Sequence, residues 1–431
     1  MPTETMEATP SKMRWLQLAL GLIVMMAISS PQYVWTLFVK PFQGATGASL
    51  PALQITFSVL IVLQTWLSPA QGWLVERFGP KLLVAAGAAL TGLGWVLSAQ
   101  ATSLTMLYFT YGVLCGVGTG IVYIGIVGLM ARWFPDRRGF AIGMVAAGYG
   151  MGALLTTFPI DTMMKASGHA STLTFFGVVL GAIGVAAALG LRSPTSADVL
   201  PPPAELVAQG KDATPMEMLK TPIFWLMFAM MTMMSTGGLM VTSNFANFAR
   251  EFGVADIMLF GMAALPLALT VDRLLNGFTR PFFGWVSDRI GRENTMGVAF
   301  LLEAVAILLL LLFRDNAMAF VVLSGLVFFG WGEIFSLFPS TLTDTFGTKQ
   351  ATTNYGFLYM SQGIGSVLGG PVAAAIHDSA GSWIPVFVLA IIMDVLTGLL
   401  ALFVLKKMRA GFLDAQTAEP MAIVTAAAAA E

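Results

Sequence analysis

The sequence predicts an all-α membrane protein with twelve transmembrane helices, arranged as two pseudo-symmetric six-helix bundles. Three observations support this prediction: a lipid-compatible composition, long apolar segments that recur along the chain, and a loop motif that occurs in each half. Of the 431 residues, 57% are hydrophobic and only 10% are charged. A soluble domain carries about 25% charged residues, so this chain would expose too much apolar surface to remain in water.

Twelve apolar segments are each long enough to cross a bilayer, which requires about 20 residues in a helix. A polar, proline-rich stretch at 192–220 separates the first six segments from the last six, as a linker would. We therefore expect tails at 1–13 and 408–431, and bundles at 14–191 and 221–407. The predicted spans lie at 15–39, 52–75, 82–99, 104–131, 140–164, 171–191, 223–249, 257–284, 294–313, 317–343, 354–376 and 382–405.

The positively charged residues predict the orientation of these spans. Lysine and arginine concentrate in the cytoplasmic loops of membrane proteins. With the N-terminus inside, 16 of the 22 Lys and Arg residues fall on the cytoplasmic side, 4 fall outside, and 2 lie within span 8. We therefore expect both termini to be cytoplasmic.

The composition also argues against several classes of function. A net charge of −1 disfavours a nucleic-acid partner, which would require clustered basic residues. Cys115 is the sole cysteine, and His169 and His377 are the only histidines, so we expect no disulfide, no His/Cys metal site and no cofactor. Glycine pairs in spans 4 and 11 superficially resemble a dinucleotide-binding loop, but without a preceding strand they indicate close helix packing.

A loop motif occurs twice, and the second copy follows the first by 212 residues. Residues 72–81 read GWLVERFGPK after span 2, and residues 284–292 read GWVSDRIGR after span 8. The acid and the basic residues of each copy could form a charge cluster that holds one conformation closed; the alternative is a positive tether at the membrane surface. Such internal repeats are typical of secondary transporters, whose substrate site lies between the halves. The motif residues are Gly72, Glu76, Arg77, Gly284, Asp288 and Arg289.

Both loops resemble the G-x-L-x-D-R-x-G-R signature of the major facilitator superfamily, with Glu76 in place of the usual aspartate in the first copy. Within that superfamily the chain is similar to the monocarboxylate carriers, to a bacterial lactate:proton symporter homologue and to the bacterial oxalate:formate exchanger. The resemblance implies transport by alternating access, a lipid bilayer as surroundings, and a monomer in the bacterial inner membrane. It rests on residues 32–37 (QYVWTL), 118–123 (GTGIVY), 132–136 (RWFPD), 219–225 (LKTPIFW), 276–281 (NGFTRP) and 354–356 (NYG).

Arg280 is the strongest candidate for a substrate site among seven ionisable residues in the predicted spans, each of which is costly there. A guanidinium group can bind a carboxylate through two parallel hydrogen bonds, and the resemblance implies that an arginine here binds the substrate carboxylate. The alternative is a structural ion pair with an acid of a neighbouring helix. Asn276 lies four residues earlier on the same helix face, where it can donate to substrate, orient Arg280, or bond to another helix.

The remaining charges within spans offer proton-coupling candidates. Burial among apolar rings favours the neutral form of a carboxyl group, so Glu333 and Asp272 could take up the coupling proton, although each could equally form a structural pair. We expect Arg273 to point away from Arg280 and to pair with an acid such as Glu333. We expect Glu303 and Asp394, in spans 9 and 12, to form bonds between helices.

The resemblance implies further lining residues and two departures from the relatives. Monocarboxylate carriers usually have an aspartate at the position of Asn276, which leaves the proton site open. The exchanger has a lysine in span 11 where this chain has Gln362. Because one buried positive charge balances one carboxylate, we expect a monocarboxylate site. Each aromatic ring could instead be a packing residue. The neutral lining residues implied are Tyr33, Tyr123, Tyr149, Trp331, Phe335 and Gln362.

The sequence therefore predicts a secondary transporter that moves a small monocarboxylate, such as lactate or pyruvate, together with a proton. Movement of an anion with a proton is electrically neutral and avoids about 2.3 kcal/mol per charge per 100 mV. An anion exchanger of the oxalate:formate type is the alternative within the class. A membrane-embedded enzyme is disfavoured because the chain has no HExxH, paired-histidine or GxSxG motif, and a non-transporting receptor would usually carry a large extra domain.

Overall fold

The computed structural model describes residues 12–196, 198–200 and 211–416. Most of the two expected tails, and residues 197 and 201–210 of the expected linker, lie outside this described part. Apart from a hairpin of two short antiparallel strands, Met258–Leu259 and Met262–Ala263, the regular secondary structure within it is helical.

Spans 1 and 2 are interrupted rather than continuous, and both interruptions coincide with a proline. Pro31 lies in the first turn of the short middle helix of span 1, and Pro69 in the first turn of the second helix of span 2, where the chain bends by 51°. The N-terminal helices are Lys12–Ala27, Ser30–Tyr33 and Trp35–Thr46 in span 1, Leu50–Trp66 and Ser68–Phe78 in span 2, Pro80–Ser98 in span 3, Leu104–Leu107, Tyr108–Leu114 (a π-helix) and Cys115–Trp133 in span 4, and Arg138–Leu189 in spans 5 and 6.

Spans 5 and 6 follow one another without the loop that the sequence predicts between 164 and 171. The helical run Arg138–Leu189 has 52 residues and is broken only at Gly168, whose φ of 77° lies in the left-handed region that glycine tolerates. At 1.5 Å per residue the helical rise of this run adds up to roughly 78 Å, more than twice the ~30 Å core of a bilayer. It therefore supplies two spans.

The C-terminal spans differ from the prediction at two places that matter for the site. Span 8 begins at Ala264 rather than 257, because the apolar residues before it form the hairpin, which hydropathy alone does not distinguish from helix. Span 10 is broken at Gly332 and Glu333. The C-terminal helices are Pro222–Glu251 in span 7, Ala264–Ile290 in span 8, Arg292–Leu312 in span 9, Ala317–Trp331 and Ile334–Phe346 in span 10, Ala351–Ala380 in span 11, and Ile384–Leu399 with the π-helix Leu400–Leu405 in span 12; Pro215–Leu219 precedes span 7.

Length and hydropathy identify eight membrane-crossing helices within the described residues, or nine when the bent pair in span 2 is included. One of the eight is the 52-residue run, which contains two spans. Spans 8 and 11 are not among these helices because they are less apolar, and both carry polar residues of the site described below. Together these helices make up the twelve-span architecture.

The two halves are joined at one end of the molecule by a pair of equivalent contacts; we call this end, which contains Glu76 and Asp288, the motif end. Glu76 accepts hydrogen bonds from the backbone N–H groups of Thr352 (2.8 Å) and Thr353 (3.1 Å) at the start of span 11. Asp288 accepts bonds of 2.9 Å from the N–H groups of Gly139 and the residue after it, at the start of span 5. Each carboxylate thus caps the positive end of a helix in the opposite half.

Glycines allow the backbones of the two halves to touch at the motif end. A Cβ atom on Gly284 would collide with the backbone of Gly139, and one on Gly72 would lie 2.7 Å from the carbonyl oxygen of Thr352. In each motif copy, the glycine therefore packs against the same helix whose N-terminus the acid of that copy caps. Close backbone approach of this kind requires small residues.

The expected participation of the two motif arginines in this closure is not found. Arg77 and Arg289 are exposed, and their guanidinium groups lie over the rings of Trp73 (5.1 Å) and Trp285 (3.5 Å), four residues earlier on the same helix. Stacking on the i−4 ring directs them away from the opposite half.

Two other arginines form ion pairs beside these contacts. Arg138, which is fully buried, pairs with Asp344 of the other half. Arg292 pairs with the same carboxylate at 2.9 Å and with Asp288 at 2.6 Å. The acid of the second motif copy is therefore part of a network that crosses the interface.

Replacing Asp288 by Asn, together with Glu76 by Gln, should weaken closure of the motif end. Each change removes charge-assisted hydrogen bonds worth about 1.5–3 kcal/mol. Spin labels on Lys81→Cys and Lys349→Cys, one in each half and both exposed, should then report an added population at longer distance; Cys115 is buried and should not label. Asp136→Asn is the control, because Asp136 pairs with Arg14 of its own half at 2.9 Å. Unchanged distances in the double variant would contradict the role of these two carboxylates in holding the halves together.

Candidate functional site

A cavity of about 250 Å³ lies between the two halves, lined by residues of spans 1, 4, 5, 7, 8, 10 and 11. Pockets for drug-sized ligands measure about 300–1,000 Å³, so this one suits a smaller molecule. The structure brings all the sequence-predicted substrate residues together around it: Tyr33, Tyr123, Tyr149, Asn276, Arg280, Trp331, Phe335 and Gln362.

Interrupted helices place several of these side chains at the cavity. Tyr33 ends the short middle helix of span 1, and Trp331 ends the first helix of span 10. Phe335 lies in the first turn of the next helix, and the Trp331 indole N–H donates to the Met234 carbonyl (3.0 Å), which fixes the ring. Transporters commonly build substrate sites from such discontinuous helices near the middle of the bilayer.

Arg280 is 2% exposed and is held by neutral groups only. Its Nη1 donates to the Ala146 carbonyl of the other half (2.7 Å), its Nη2 donates to Oδ1 of Asn276 (3.0 Å), and the guanidinium lies 4.5 Å from the centre of the Phe335 ring. Within the described residues no carboxylate oxygen lies within the 4.0 Å of an ion pair. The alternative of a structural ion pair is therefore absent in this conformation.

The donors around Arg280 are incompletely used. Arg280 Nε and Asn276 Nδ2 are buried and have no hydrogen-bond partner among the described residues. A Cβ on Gly150 would lie 3.3 Å from the guanidinium carbon, so a glycine here leaves one side of the group uncovered. Unpaired buried donors beside an uncompensated positive charge favour an anionic acceptor.

A continuous chain of tyrosine rings crosses from one half to the other beside the cavity. Tyr33 packs on Tyr149 (5.6 Å between ring centres), Tyr149 on Tyr123 (5.2 Å), and Tyr123 stacks on Tyr359 of span 11 (4.9 Å). The rings supply an apolar wall that also carries hydroxyl groups capable of hydrogen bonding.

Two glutamines connect this chain of rings, and the sequence reasoning missed them as well as Tyr359. The Tyr149 hydroxyl donates to Oε1 of Gln32 (2.5 Å), and Gln64 Nε2 donates to the Tyr359 hydroxyl across the interface (3.3 Å). Tyr359 could have been found, because it precedes Gln362 by three residues and so shares its helix face. No local signal indicated Gln64, which reaches Tyr359 only through the packing of span 2 against span 11.

The acids proposed for proton coupling occupy different environments. Asp272 lines the cavity and is 2% exposed. Glu333 is fully buried beside the lining rings and does not itself line the cavity. It lies close enough to Glu303 and Asp394, also fully buried, for the three to interact electrostatically. Glu333 also lies within electrostatic range of Arg280.

Two expected partnerships of these acids are absent. The carboxyl oxygens of Glu303 and Asp394 form no hydrogen bond among the described residues, so they do not supply the expected bonds between helices. Arg273 does not pair with Glu333; it is exposed and lines the cavity instead. Helix period already indicated this placement, because Arg273 precedes Arg280 by seven residues, or about two turns, and so lies on the same helix face.

Comparison with known proteins agrees with this architecture. The family model described as Major Facilitator Superfamily matches residues 18–275 and 264–426. The oxalate:formate antiporter of Oxalobacter formigenes is 35% identical over 399 residues, covering 92% of each chain, and monocarboxylate transporter 13 of Bos taurus is 26% identical, covering 79% of this chain and 78% of that one.

A solved structure shares the fold at low sequence identity. The crystal structure of the Major Facilitator Superfamily transporter FucP in the outward conformation superposes with a TM-score of 0.69 at 15% identity, covering 90% of this chain and 98% of that chain. With family model, relatives and fold in agreement, the chain belongs to the Major Facilitator Superfamily and is a multi-pass membrane transporter, not an enzyme.

Proposed function

We propose that this transporter moves a small monocarboxylate together with a proton by alternating access, and that Arg280 holds the substrate carboxylate. The observation that carries the proposal is the buried guanidinium of Arg280, which has no carboxylate partner among the described residues. We further propose a lactate- or pyruvate-like acid as substrate and a monomer in the bacterial inner membrane, with both termini cytoplasmic.

The binding step follows from the groups around Arg280. A carboxylate entering the cavity replaces water around the guanidinium and gains charge-assisted hydrogen bonds where competing water is scarce. Asn276 has an unused N–H group four residues away on the same helix and can donate to the same anion. The Phe335 and Trp331 rings cover the apolar part of a short acid. One guanidinium neutralises one carboxylate.

The conformational step is a rearrangement of the contacts between the halves. In this structure the carboxylates of Glu76 and Asp288 cap helices of the opposite halves and close the motif end. Release toward that end requires both caps and the Arg138–Asp344 pair to separate. Because Arg280 itself donates to the carbonyl of Ala146 in the other half, separation of the halves also changes the hydrogen bonds of the substrate-binding group.

Proton coupling is assigned to Glu333, with Asp272 as the second candidate. Glu333 lies at the break of span 10, between Trp331 and Phe335 of the cavity wall, so its charge state can influence how that wall packs. Asp272 lines the cavity, and neither of its carboxyl oxygens accepts a hydrogen bond from the described residues. Uptake of one proton per anion keeps the transported charge at zero.

Anion exchange is the second candidate function. It is favoured by the similarity of 35% identity over 92% of both chains to the oxalate:formate antiporter. Gln362 stands where the exchanger has a lysine, so among the described lining residues the cations are the buried Arg280 and the exposed Arg273.

Uptake of labelled lactate into proteoliposomes separates the two candidates. Symport predicts accumulation driven by a proton gradient alone, and one pH unit, worth about 1.4 kcal/mol, supports roughly tenfold accumulation. Exchange predicts uptake that requires an internal counter-anion and does not follow the gradient. Failure to transport any small carboxylate in either mode would reject the proposal.

Arg280→Lys should reduce substrate affinity roughly 10- to 100-fold, because the loss of one hydrogen bond to a charged group costs about 1.5–3 kcal/mol. Substrate titration of purified protein, read as a shift in melting temperature and as uptake, measures this. Arg314→Lys is the matched control, since Arg314 lies in the loop between spans 9 and 10 and approaches Asp315 at 4.0 Å. Wild-type affinity in the Arg280 variant would contradict the assigned carboxylate site.

Glu333→Gln, a nearly isosteric change that removes the titratable group, should abolish accumulation driven by a pH gradient while counterflow of labelled against unlabelled substrate persists. Such a variant can still bind and exchange the anion, but it cannot carry the proton. Asp272→Asn, tested in parallel, assigns the role to one of the two acids. Gradient-driven accumulation that survives in both variants would exclude both as the coupling site.

A further inference from the structure

Span 8 carries a second cation in the cavity, Arg273, for which the proposed function has no role. It lies seven residues before Arg280, so the two side chains share one helix face about two turns, or roughly 10 Å, apart. Leu269, Asp272 and Asn276 line the cavity on the same stripe. Arg273 is closer to the hairpin at residues 258–263, and Arg280 is closer to the motif end.

The burial of the lining residues distinguishes the two cations. Arg273 and Leu269 are exposed, whereas Arg280, Tyr149 and Phe335 are at most 5% exposed. The motif end is closed by the two helix caps and the touching glycine backbones. Arg273 therefore lies on the less buried side of the cavity, away from the closed motif end, and an anion that enters from the hairpin side meets it before it meets Arg280.

Arg273 also differs from Arg280 in how it is held. Among the described residues it forms no ion pair and no side-chain hydrogen bond, and the neighbouring acid Asp272 lies beyond the 4.0 Å of an ion pair. Arg280, by contrast, is fixed by Ala146 and Asn276. An exposed cation at a cavity entrance attracts anions by its charge and needs no fixed geometry.

We propose that Arg273 is the capture residue of this transporter: it attracts the substrate carboxylate into the cavity and passes it to Arg280, without taking part in the fully bound state. The proposal rests on the proposed function, since it presumes that the anion binds at Arg280. Among the described lining residues Asp272 is the one other charged group, so this part of the cavity wall carries a net positive charge of one or two, according to whether Asp272 is ionised. A cleft with one sign of charge raises the local concentration of the opposite ion.

The test is the kinetics of lactate uptake in Arg273→Gln, Arg273→Lys and Arg280→Lys, with Arg314→Gln as a control that removes a cation outside the cavity. Arg273→Gln should raise KM about 3- to 10-fold and leave the maximal rate within about twofold, because only the encounter step loses its attraction. Arg273→Lys should restore the wild-type KM, since a point charge suffices for capture. Arg314→Gln should change neither value.

Ionic strength supplies an independent readout. Exposed charges are screened over about 8 Å at 0.15 M salt, so added choline chloride should raise the KM of the wild-type protein and of Arg273→Lys but leave that of Arg273→Gln nearly constant. If Arg273 had only a structural role, Arg273→Gln would instead lower the maximal rate or the melting temperature. The charge of the lysine in Arg273→Lys would then not restore KM.

The outcomes separate this inference from the proposed function. An unchanged KM and an unchanged salt response in Arg273→Gln would overturn the capture role, whatever Arg280→Lys does. Full transport and wild-type affinity in Arg280→Lys would overturn the assigned carboxylate site, whatever Arg273 does. The capture role is supported only when Arg273→Gln changes KM, Arg273→Lys restores it, and Arg280→Lys loses affinity.

Discussion

The burial of a guanidinium group without a carboxylate beside it is the constraint on which the site depends. Removing such a charge from water costs several kcal/mol even after the protein relaxes. Around Arg280 this cost is offset by neutral groups: the Ala146 carbonyl, the Asn276 amide and the face of the Phe335 ring. Because none of these partners cancels the charge, the cavity retains a field that an anion can neutralise. A protein acid within ion-pair distance would have removed it.

The same constraint explains why the helices around the cavity are irregular. Regular apolar helices can be buried anywhere in a bilayer, but polar groups near its centre require backbone and side-chain partners that a regular helix does not offer. The break at Gly332 and Glu333 places two aromatic rings at the cavity wall, and the short middle helix of span 1 brings Tyr33 to the other side. Glycines at the motif end then allow the halves to close tightly enough to exclude water from below the tyrosine chain.

The charges of the molecule separate into three groups with different physical roles. Carboxylates at the motif end are satisfied by helix N-termini and arginines, and they hold the halves together. The acids of the C-terminal core, Glu303, Glu333 and Asp394, have no hydrogen-bond partner for their carboxyl oxygens among the described residues. The cations of the cavity lie between these groups. The helix caps, the buried acids and the cavity cations are thus separate residues: the caps join both halves, whereas the acids and the cations belong to the C-terminal half.

How much of this could be predicted from the sequence depends on how local the physical signal is. The cost of a charge in an apolar helix is local, so Arg280 was evident from the sequence, and the resemblance to known carriers added Asn276 and the aromatic rings around it. Span count and the repeated loop were evident for the same reason, since hydropathy and motif spacing are properties of the chain itself. The start of span 8 was not, because an apolar hairpin and an apolar helix have the same hydropathy.

By itself the sequence determined that the chain spans a membrane in two related halves and that Arg280 is a costly charge within a span. Only the tertiary structure decided which arginines latch the halves, that Arg138 and Arg292 pair with Asp344 while Arg77 and Arg289 stack on tryptophan, and that Arg273 faces the cavity instead of an acid. The physical reason is that ion pairs and cavities form between residues far apart in the chain. Their energies depend on distances set by helix packing, which no local pattern encodes.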